Sequence, residues 1–228
     1  MKILNTVKFL GSLIAISCIV TSIEFFSSSL VFAETKFTDV PTEHWANVCI
    51  MEMASEGVIS GYPDGTFAPD EPVSRAEFCK IVILASGREL PNLYEARTSW
   101  YAVPGIEGHW CEQYMSAMAK DTWTYREWYL TENVDPNQTI NRGEAAMGIA
   151  DLLYGYPRSY ERSEVKAYLQ ARYTDSDLFG AFQNTVYEAT LKGFMTGYAD
   201  GSFLVQKKIT RAELCSILYK VSRDLKAV

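Results

Sequence analysis

Residues 61–78 read GYPDGTFAPDEPVSRAEF, and residues 197–214, which lie 136 positions later, read GYADGSFLVQKKITRAEL. The match extends without a gap from Phe37–Ser86 to Tyr173–Ser222. Self-similarity at a fixed spacing is typical of a chain built from repeated supersecondary units. A looser third copy lies between these two, because residues 140–144 read INRGE where the first copy has VSRAE. The sequence therefore predicts three tandem repeats with a divergent middle copy.

Each copy shows the pattern of a helix, a turn and a longer helix. In the first copy, apolar residues recur at helical spacing from Trp45 to Glu56, and Gly57 stands where a helix C-cap is expected. Gly61–Gly65 has turn chemistry, with a proline followed by an Asp-Gly pair. The segment Ser74–Leu84 is apolar nearly all round at its centre, which indicates a buried second helix. We expect a mainly α fold in which three such second helices form one shared core.

The composition of the 228-residue chain limits its classes of function. The formal charge of −7 and the isoelectric point near 5.0 argue against a nucleic-acid binder, which needs clustered Lys and Arg. A hydrophobic content of 48% and an aromatic content of 13% exclude a disordered chain. The two histidines, both in His-Trp pairs, leave little material for a zinc site or a His-dependent catalytic centre. We expect neither a metal ion nor a cofactor.

Residues 1–33 have the pattern of a secretory signal peptide. A positively charged start precedes a short apolar run, and Val31–Ala33 supplies small or apolar residues before a cleavage site at Glu34. An uncleaved transmembrane helix would need about 20 apolar residues, and this run stops at Glu24. A lipoprotein signal at Cys18 is a further alternative. We expect an exported protein that has no membrane segment after cleavage.

Four cysteines remain once the signal peptide is removed. Cys79 and Cys215 occupy the same repeat position, where Ala146 stands in the middle copy. This exchange indicates a small buried apolar side chain near the shared core. For these two, and for Cys49 and Cys111, we favour free buried thiols. Export permits disulfides, and connectivity is not readable from sequence, so that alternative stays open.

The first copy carries one long motif. It reads Phe37-x-Asp39-Val40, His44-Trp45-Ala46, Gly57-Val58-Ile59-x-Gly61-Tyr62-x-Asp64-Gly65-x-Phe67-x-Pro69 and Val73-Ser74-Arg75-Ala76-Glu77-Phe78. With this motif the chain resembles the S-layer homology (SLH) domain nearly throughout the first and third copies, and at the ends of the middle copy. The resemblance implies a three-lobed, mostly helical fold with pseudo-threefold symmetry. It also implies non-covalent attachment to a secondary cell-wall polysaccharide of a bacterium, often one that bears ketal-linked pyruvate.

On this resemblance the chain divides into five segments. They are a signal peptide at 1–33, a first repeat at 34–97, a divergent second repeat at 98–155, a connector at 156–172 and a third repeat at 173–228.

The middle copy departs from the pattern in two places. Ala102 stands where the other copies have an aspartate, and Thr124–Tyr129 replaces the glycine turn. A groove that depends on these elements is expected to be impaired. The aromatic residues of this stretch serve either packing or an exposed surface for glycan or protein. They are Trp123, Tyr125, Trp128 and Tyr129.

One arginine follows the predicted N-cap of the second helix in every copy. The N-cap residue and the glutamate three positions later have the pattern of a capping box, which explains both of them. It does not explain the cation, which faces the positive end of the helix dipole at a cost of roughly 0.3–1 kcal/mol when exposed. An anionic ligand held jointly by the guanidinium and free helix N-terminal amides would compensate. The structural alternative is a bond to Asp39, Asp175 or a turn carbonyl. The arginines are Arg75, Arg142 and Arg211.

The resemblance extends this to a predicted glycan-binding set. In SLH domains the ligand lies in grooves between lobes, with the arginine a principal contact and the turn glycines admitting a close approach of backbone to sugar. Trp45 either stacks on a sugar face or packs in the core. We expect Arg75 and Arg211 to contribute most, because their own copies keep the aspartate and the turn. The predicted set is Arg75, Arg211, Arg142, Asp39, Asp175, Gly61, Gly197 and Trp45.

These features predict a non-catalytic cell-wall-anchoring module on a bacterial surface, with a secondary cell-wall polysaccharide as its partner. The alternative is a structural or adaptor protein that uses the fold to contact other surface proteins without binding glycan. An extracellular glycan hydrolase would need two carboxylates about 5–10 Å apart across a cleft. No acidic pair stands out in the sequence beyond the capping glutamates, so an enzyme is not expected.

Overall fold

The structure is a computed structural model that describes residues 37–130, 134–155 and 160–226. The predicted signal peptide lies outside these residues. Every regular secondary-structure element in these residues is a helix, which confirms the predicted mainly α class. None of the helices in this part of the chain has both the length and the apolar character needed to cross a membrane.

The α-helices of the described residues are named in chain order. Two 3₁₀ helices, Ser176–Leu178 and Gly180–Phe182, come directly before the eighth α-helix. The helices are α1 (Asn47–Ser55), α2 (Arg75–Ser86), α3 (Leu93–Thr98), α4 (Glu112–Asp121), α5 (Thr124–Tyr129), α6 (Arg142–Tyr154), α7 (Arg162–Gln170), α8 (Gln183–Leu191) and α9 (Arg211–Lys226).

All three predicted capping boxes are present, at the starts of α2, α6 and α9. At α2 the Glu77 amide donates to Ser74 Oγ at 3.2 Å, and the Ser74 amide donates to the Glu77 carboxylate at 2.9 Å. Asn141 with Glu144 and Thr210 with Glu213 exchange the same two bonds. Each box fixes the first turn of its helix, and therefore the position of the arginine that follows the N-cap.

The segments that lead into these helices are joined by a closed cycle of backbone hydrogen bonds. The Val73 amide donates to the Ile209 carbonyl at 3.0 Å, the Ile209 amide to Ile140 at 3.2 Å, and the Ile140 amide to Val73 at 3.0 Å. All three side chains are fully buried. Each of the three predicted copies therefore bonds to both of the others at the same position of the sequence pattern.

The second helices supply the centre of the core. Helix α2 packs against both α6 and α9, and Val82, Leu153 and Leu218, one from each helix, line one small cavity. The first helix of each copy packs on the second helix of the preceding copy, so that α1 lies on α9, α4 on α2 and α8 on α6. This arrangement places the start of every second helix against a neighbouring copy.

The segment predicted as a connector contains α7. Most of this helix is exposed, but Val165 and Leu169 are buried and the helix packs against α8. Its charged face is therefore solvated while its apolar face adds to the third copy.

In the middle copy, α5 stands in place of the glycine turn. Tyr125 is fully buried and its ring lies 5.5 Å from that of Phe78. Its amide donates to the buried Asp151 carboxylate at 3.0 Å. Trp123, by contrast, is 61% exposed. The two alternatives for the aromatic stretch are thus both realised, with Tyr125 in packing and Trp123 on the surface. The side chains of Trp128 and Tyr129 lie outside the described part.

The four described cysteines are free and buried, in agreement with the sequence expectation. Burial raises the pKa of the Cys215 thiol to about 12, so this group is a thiol and not a reactive thiolate at neutral pH.

We therefore expect Cys79→Ala or Cys215→Ala to lower the free energy of unfolding by only about 1 kcal/mol, because the middle copy fills the same position with Ala146. Urea denaturation measures this effect. Thiol titration of the denatured, unreduced mature protein should find all four groups, and a count of two or none would reveal disulfides.

An ion pair between the exposed Arg97 and the buried Glu112 ties α3 to α4. Arg97 Nη2 donates to Glu112 Oε2 at 2.9 Å, and the Gly108 amide donates to the same oxygen at 2.8 Å. The hydrogen bond from Arg97 holds the pKa of Glu112 below its usual value, although burial acts in the opposite direction. The pair therefore contributes stability at pH values above the ordinary pKa of a glutamate, and this contribution is lost as the pH falls through the lowered value.

We accordingly expect Glu112→Gln to lower the free energy of unfolding at pH 7, and the difference from the wild type to shrink below about pH 4. Urea denaturation at several pH values measures it. A difference that does not vary with pH would show that the carboxylate charge is not what stabilises this junction.

Candidate functional site

Two grooves of nearly equal size have corresponding linings. We name them the Arg211 groove, of about 340 Å³, and the Arg142 groove, of about 350 Å³. Each is lined by one arginine, one tyrosine, one glutamate and one tryptophan at matching repeat positions. These are Arg211, Tyr62, Glu77 and Trp110 in the first groove, and Arg142, Tyr198, Glu213 and Trp45 in the second.

Each groove is lined by residues from all three of the predicted copies. In the Arg211 groove the arginine comes from the third copy, Tyr62 and Glu77 come from the first, and Trp110 comes from the middle one. The Arg142 groove follows the same scheme, moved back by one copy, with Tyr198 and Glu213 from the third copy, Trp45 from the first and Arg142 from the middle one. The closed cycle of backbone bonds explains this, because it sets each second-helix start beside the turn of the next copy.

Arg211 is 5% exposed and is held by three hydrogen bonds from its guanidinium. Nε donates to the Phe67 carbonyl at 2.8 Å, Nη2 to the Ser60 carbonyl at 3.2 Å, and Nη1 to Glu77 Oε1 at 2.9 Å. The guanidinium also lies over the Tyr62 ring, 5.0 Å from its centroid.

Arg142 is held in nearly the same way. Nε donates to the Phe203 carbonyl at 2.9 Å and Nη2 to the Thr196 carbonyl at 3.0 Å, while the guanidinium lies 4.6 Å from the centroid of the Tyr198 ring. The turn carbonyl, one of the structural alternatives from the sequence, is therefore a partner of both groove arginines. The arginines also line the groove walls, where a ligand can reach them.

The hypothesis that free helix N-terminal amides hold an anion beside each arginine is wrong. The amides of Arg75, Arg142 and Arg211 donate to carbonyls of the next copy at 2.9–3.0 Å, and the amide one position later does the same. The N-cap side chain takes the amide after that. The packing of neighbouring copies therefore uses up the helix amides, and only side chains are left to meet a ligand.

The structure pairs the arginines with the turns differently from the sequence expectation. Arg75 and Arg211 lie in copies with intact turns, but each arginine meets the turn of the following copy. Arg142 and Arg211 therefore meet the two intact glycine turns. Arg75 is 6% exposed, and its backbone amide bonds to Gln138 of the middle copy, where α5 replaces the turn.

The two predicted aspartates hold the glycine turns by accepting hydrogen bonds from backbone amides. The Asp39 carboxylate accepts the Phe67 and Ala68 amides at 2.8 and 2.7 Å. Asp175 bonds the corresponding amides of the third copy at 2.9 and 2.8 Å. Ala68 has a φ of +55°, which is unfavourable for a residue with a side chain, so the carboxylate stabilises a strained turn. A direct contact of these aspartates with glycan stays a prediction.

Trp45 is 63% exposed, so the core alternative for this residue is wrong. Trp110 is also more than half exposed. Both indoles stand at the edges of the grooves, where an apolar face is available to a ligand.

Sequence reasoning did not include the tyrosines and assigned the glutamates only to capping. The signal was present, because Tyr62 and Tyr198 are identical at matching positions. Burial comes first among the causes that raise the pKa of each tyrosine, so both keep their hydroxyl proton at neutral pH. Burial acts to raise the pKa of Glu213, but hydrogen bonds from Tyr198, Thr210 and Lys207 act more strongly in the opposite direction. The net result is a lowered pKa, so this carboxylate is ionised at neutral pH.

Comparison with known proteins gives two matches to one family model. The S-layer homology domain matches residues 36–79 and 172–215, which contain the two intact turns and the start of α2 and of α9.

Several curated proteins are similar to this chain. A cellulosome-anchoring protein of Acetivibrio thermocellus is 30% identical over 109 residues, which is 48% of this chain and 24% of that protein. The S-layer protein EA1 of Bacillus anthracis is 34% identical over 93 residues, covering 41% and 10%. The exoglucanase XynX of Acetivibrio thermocellus is 25% identical over 195 residues, covering 84% and 17%. The chain thus spans a quarter or less of the length of these relatives.

Proposed function

We propose that the mature protein is a non-catalytic module that anchors to the bacterial cell wall by binding an acidic secondary polysaccharide in the Arg211 and Arg142 grooves. The observation that carries this proposal is the pair of matching grooves, each with a guanidinium, a tyrosine and an exposed tryptophan at the junction of three copies. The SLH matches and the relatives named for S-layers and cellulosome anchoring support a location at the cell wall or surface.

The chemistry of each groove fits a sugar that carries a carboxylate. A planar guanidinium recognises a carboxylate through charge-assisted hydrogen bonds, which are stronger than those between neutral groups. An exposed indole offers an apolar face for stacking on a sugar ring. A ketal-linked pyruvate places a carboxylate on a sugar ring that is itself available for stacking, so it is the substituent we propose. The acidic balance of the whole chain is no obstacle, because the cation is local.

We propose that the fold is a three-copy SLH unit with a divergent middle copy, bounded at 34–97, 98–155 and 173–228. The closed cycle through Val73, Ile140 and Ile209 supports this, as do the three capping boxes, because both treat the middle copy as the equal of the others. The segment 156–172 is the connector.

The groove glutamates are unsuited to glycan hydrolysis. Glu77 accepts bonds from the Ser74 amide and from Arg211, and Glu213 accepts bonds from Thr210, Tyr198 and Lys207. A glycosidase needs one carboxylic acid that is protonated and one carboxylate that is free to attack or to activate water. Relatives such as the exoglucanase match this chain over a minor part of their length, so their activity is not transferred to it.

The second candidate function is an adaptor that contacts other surface proteins. It is favoured by Trp100 and Trp123 of the middle copy, which are 64% and 61% exposed. Aromatic side chains of this kind are enriched at protein interfaces.

Sedimentation of the mature protein with purified walls tests the proposal. We expect the protein to pellet with intact walls and to stay in solution after the secondary polysaccharide has been stripped from them. The stripped wall should not bind the protein, because the residues of the grooves are suited to an acidic glycan. Equal sedimentation with both preparations would contradict the proposal and favour the adaptor.

A further inference from the structure

We propose that the two grooves are not equivalent, and that Lys207 makes the Arg142 groove the one selective for an anionic ligand. The inference rests on the proposed function and names the residue that decides which groove takes the acidic group. In it, the Arg211 groove is a weaker site whose arginine is already neutralised.

The two groove arginines differ in the partner of the third guanidinium nitrogen, Nη1. Both arginines use Nε and Nη2 on turn carbonyls at 2.8–3.2 Å. Nη1 of Arg211 donates to Glu77 at 2.9 Å, whereas Nη1 of Arg142 lies 4.0 Å from Glu213, beyond hydrogen-bond distance. Among the described residues, Arg142 therefore presents a guanidinium edge to its groove that Arg211 has committed to an internal partner.

Lys207 is the reason why Glu213 does not bond to Arg142 as Glu77 bonds to Arg211. The Lys207 ammonium donates to Glu213 Oε1 at 3.1 Å and to the Tyr198 hydroxyl at 2.9 Å. The same carboxylate oxygen accepts the Tyr198 hydroxyl at 2.6 Å, whereas the corresponding bond from Tyr62 to Glu77 is 3.4 Å long. Lys207 and Tyr198 thus hold Glu213 by hydrogen bonds, and Lys207 supplies its countercharge in place of Arg142.

The first copy has a residue of opposite charge at the position that matches Lys207. Lys207 corresponds to Glu71, at the repeat offset of 136. Glu71 is exposed and acts electrostatically on Tyr62. The first copy therefore places a carboxylate where the third copy places an ammonium.

The charges of the two grooves differ accordingly. Each groove has one further lysine in its lining, Lys80 in one and Lys220 in the other, so these do not distinguish them. With those lysines counted, the formal charge is zero around Arg211, which has Glu77 and Glu71, and +2 around Arg142, which has Glu213 and Lys207. A carboxylate entering the Arg211 groove must compete with Glu77, which is hydrogen-bonded to the guanidinium, whereas Glu213 lies 4.0 Å from Arg142 and competes less.

A reciprocal exchange tests the inference. The variants are Lys207→Glu and Glu71→Lys, with Lys166→Glu as a control that makes the same charge change on the exposed face of α7. The probe is the methyl glycoside of a hexosamine bearing a 4,6-linked pyruvate ketal, and the same glycoside without the ketal is the neutral comparison. Isothermal titration at one fixed ionic strength gives affinity and stoichiometry.

For the wild type we expect one tight site that requires the ketal carboxylate. Lys207→Glu should weaken it roughly tenfold or more, since Arg142 then becomes the countercharge of Glu213. The neutral glycoside should be little affected. Glu71→Lys should add a second ketal-dependent site, and Lys166→Glu should leave both quantities unchanged. Lys207→Met, which removes the charge without adding repulsion, should give a smaller loss and separates selectivity from misfolding.

Three results would overturn the inference. They are two sites of equal affinity in the wild type, a loss with Lys207→Glu no larger than that with Lys166→Glu, and equal binding of the ketal and neutral probes. If the wild type still sediments with intact walls in the first two cases, the proposed anchoring function survives and only the inequality of the grooves is lost. Equal binding of the two probes would also remove carboxylate recognition from the proposed function and leave attachment to the wall alone. A failure of wall sedimentation itself would remove the proposed function as well.

Discussion

Replacing Gly61 or Gly197 with alanine should lower the free energy of unfolding by about 2–4 kcal/mol, because neither position has room for a methyl group. A Cβ at Gly61 would lie 2.5 Å from the Thr66 carbonyl oxygen and would also overlap the Phe37 ring. At Gly197 it would lie 2.5 Å from the Ser202 carbonyl oxygen and 2.7 Å from Tyr173 Cε1. Backbone atoms of the same turn are in the way, so a rotamer change cannot relieve the overlap.

Gly57→Ala is the matched control for this experiment. Gly57 has a φ of +73° but nothing within 4 Å of the position of a Cβ, so its substitution carries a backbone cost of about 1 kcal/mol and no steric cost. Urea denaturation of the three variants gives the comparison. If Gly61→Ala costs no more than Gly57→Ala, the overlap is relieved in solution and the steric argument is wrong.

The same variants separate two roles for the turn glycines. A variant of Gly61 that keeps its stability but loses wall sedimentation would indicate that the glycine serves the close approach of a sugar. A variant that loses stability while the residual folded protein still binds walls would indicate internal packing alone. The overlaps with Phe37 and Thr66 lead us to expect the second result.

The features that the sequence predicted correctly are those coded over a few residues. The capping boxes at Ser74, Asn141 and Thr210 depend on residues three positions apart, and all three form. Local patterns of this kind survive folding because their partners are already adjacent in the chain.

The features that sequence reasoning missed depend on the contacts between different copies. The helix N-terminal amides were expected to be free, and they are bonded to carbonyls of the next copy instead. Arg142 lies in the copy without a glycine turn, yet it lines a groove with the intact turn of the third copy. A single repeat contains no information about the neighbour that completes it, so neither result was accessible from the repeat pattern alone.

The double variant Arg142→Ala, Arg211→Ala should lower the affinity for walls by about tenfold or more, and most of the loss should come from Arg142. Losing a charge-assisted contact to a carboxylate costs about 1.5–3 kcal/mol, and Arg211 should lose less than Arg142 because it is already bonded to Glu77. The two losses combine when both grooves engage one wall, since engagement at a second site strengthens attachment without any new contact. Sedimentation over a range of wall concentrations measures the result.

Stability must be measured beside binding, because both arginines also hold the junctions between copies. Arg211 bonds the carbonyls of Phe67 and Ser60 as well as Glu77, so its removal leaves three acceptors without their donor. We expect each single substitution to lower the free energy of unfolding by about 2–4 kcal/mol. Binding should therefore be compared at a temperature well below the melting temperature of the weakest variant.

Arg75→Ala separates the structural role of the arginines from the binding role. Arg75 occupies the same position at the start of its helix and is buried to the same degree as the other two. It borders the middle copy, where the buried Tyr125 of α5 takes the place of the glycine turn. We expect Arg75→Ala to lose stability like the others while keeping most of its wall binding. If it reduced sedimentation as far as the double variant does, the arginines would act on binding only through the fold, and the assignment of the two grooves would be wrong.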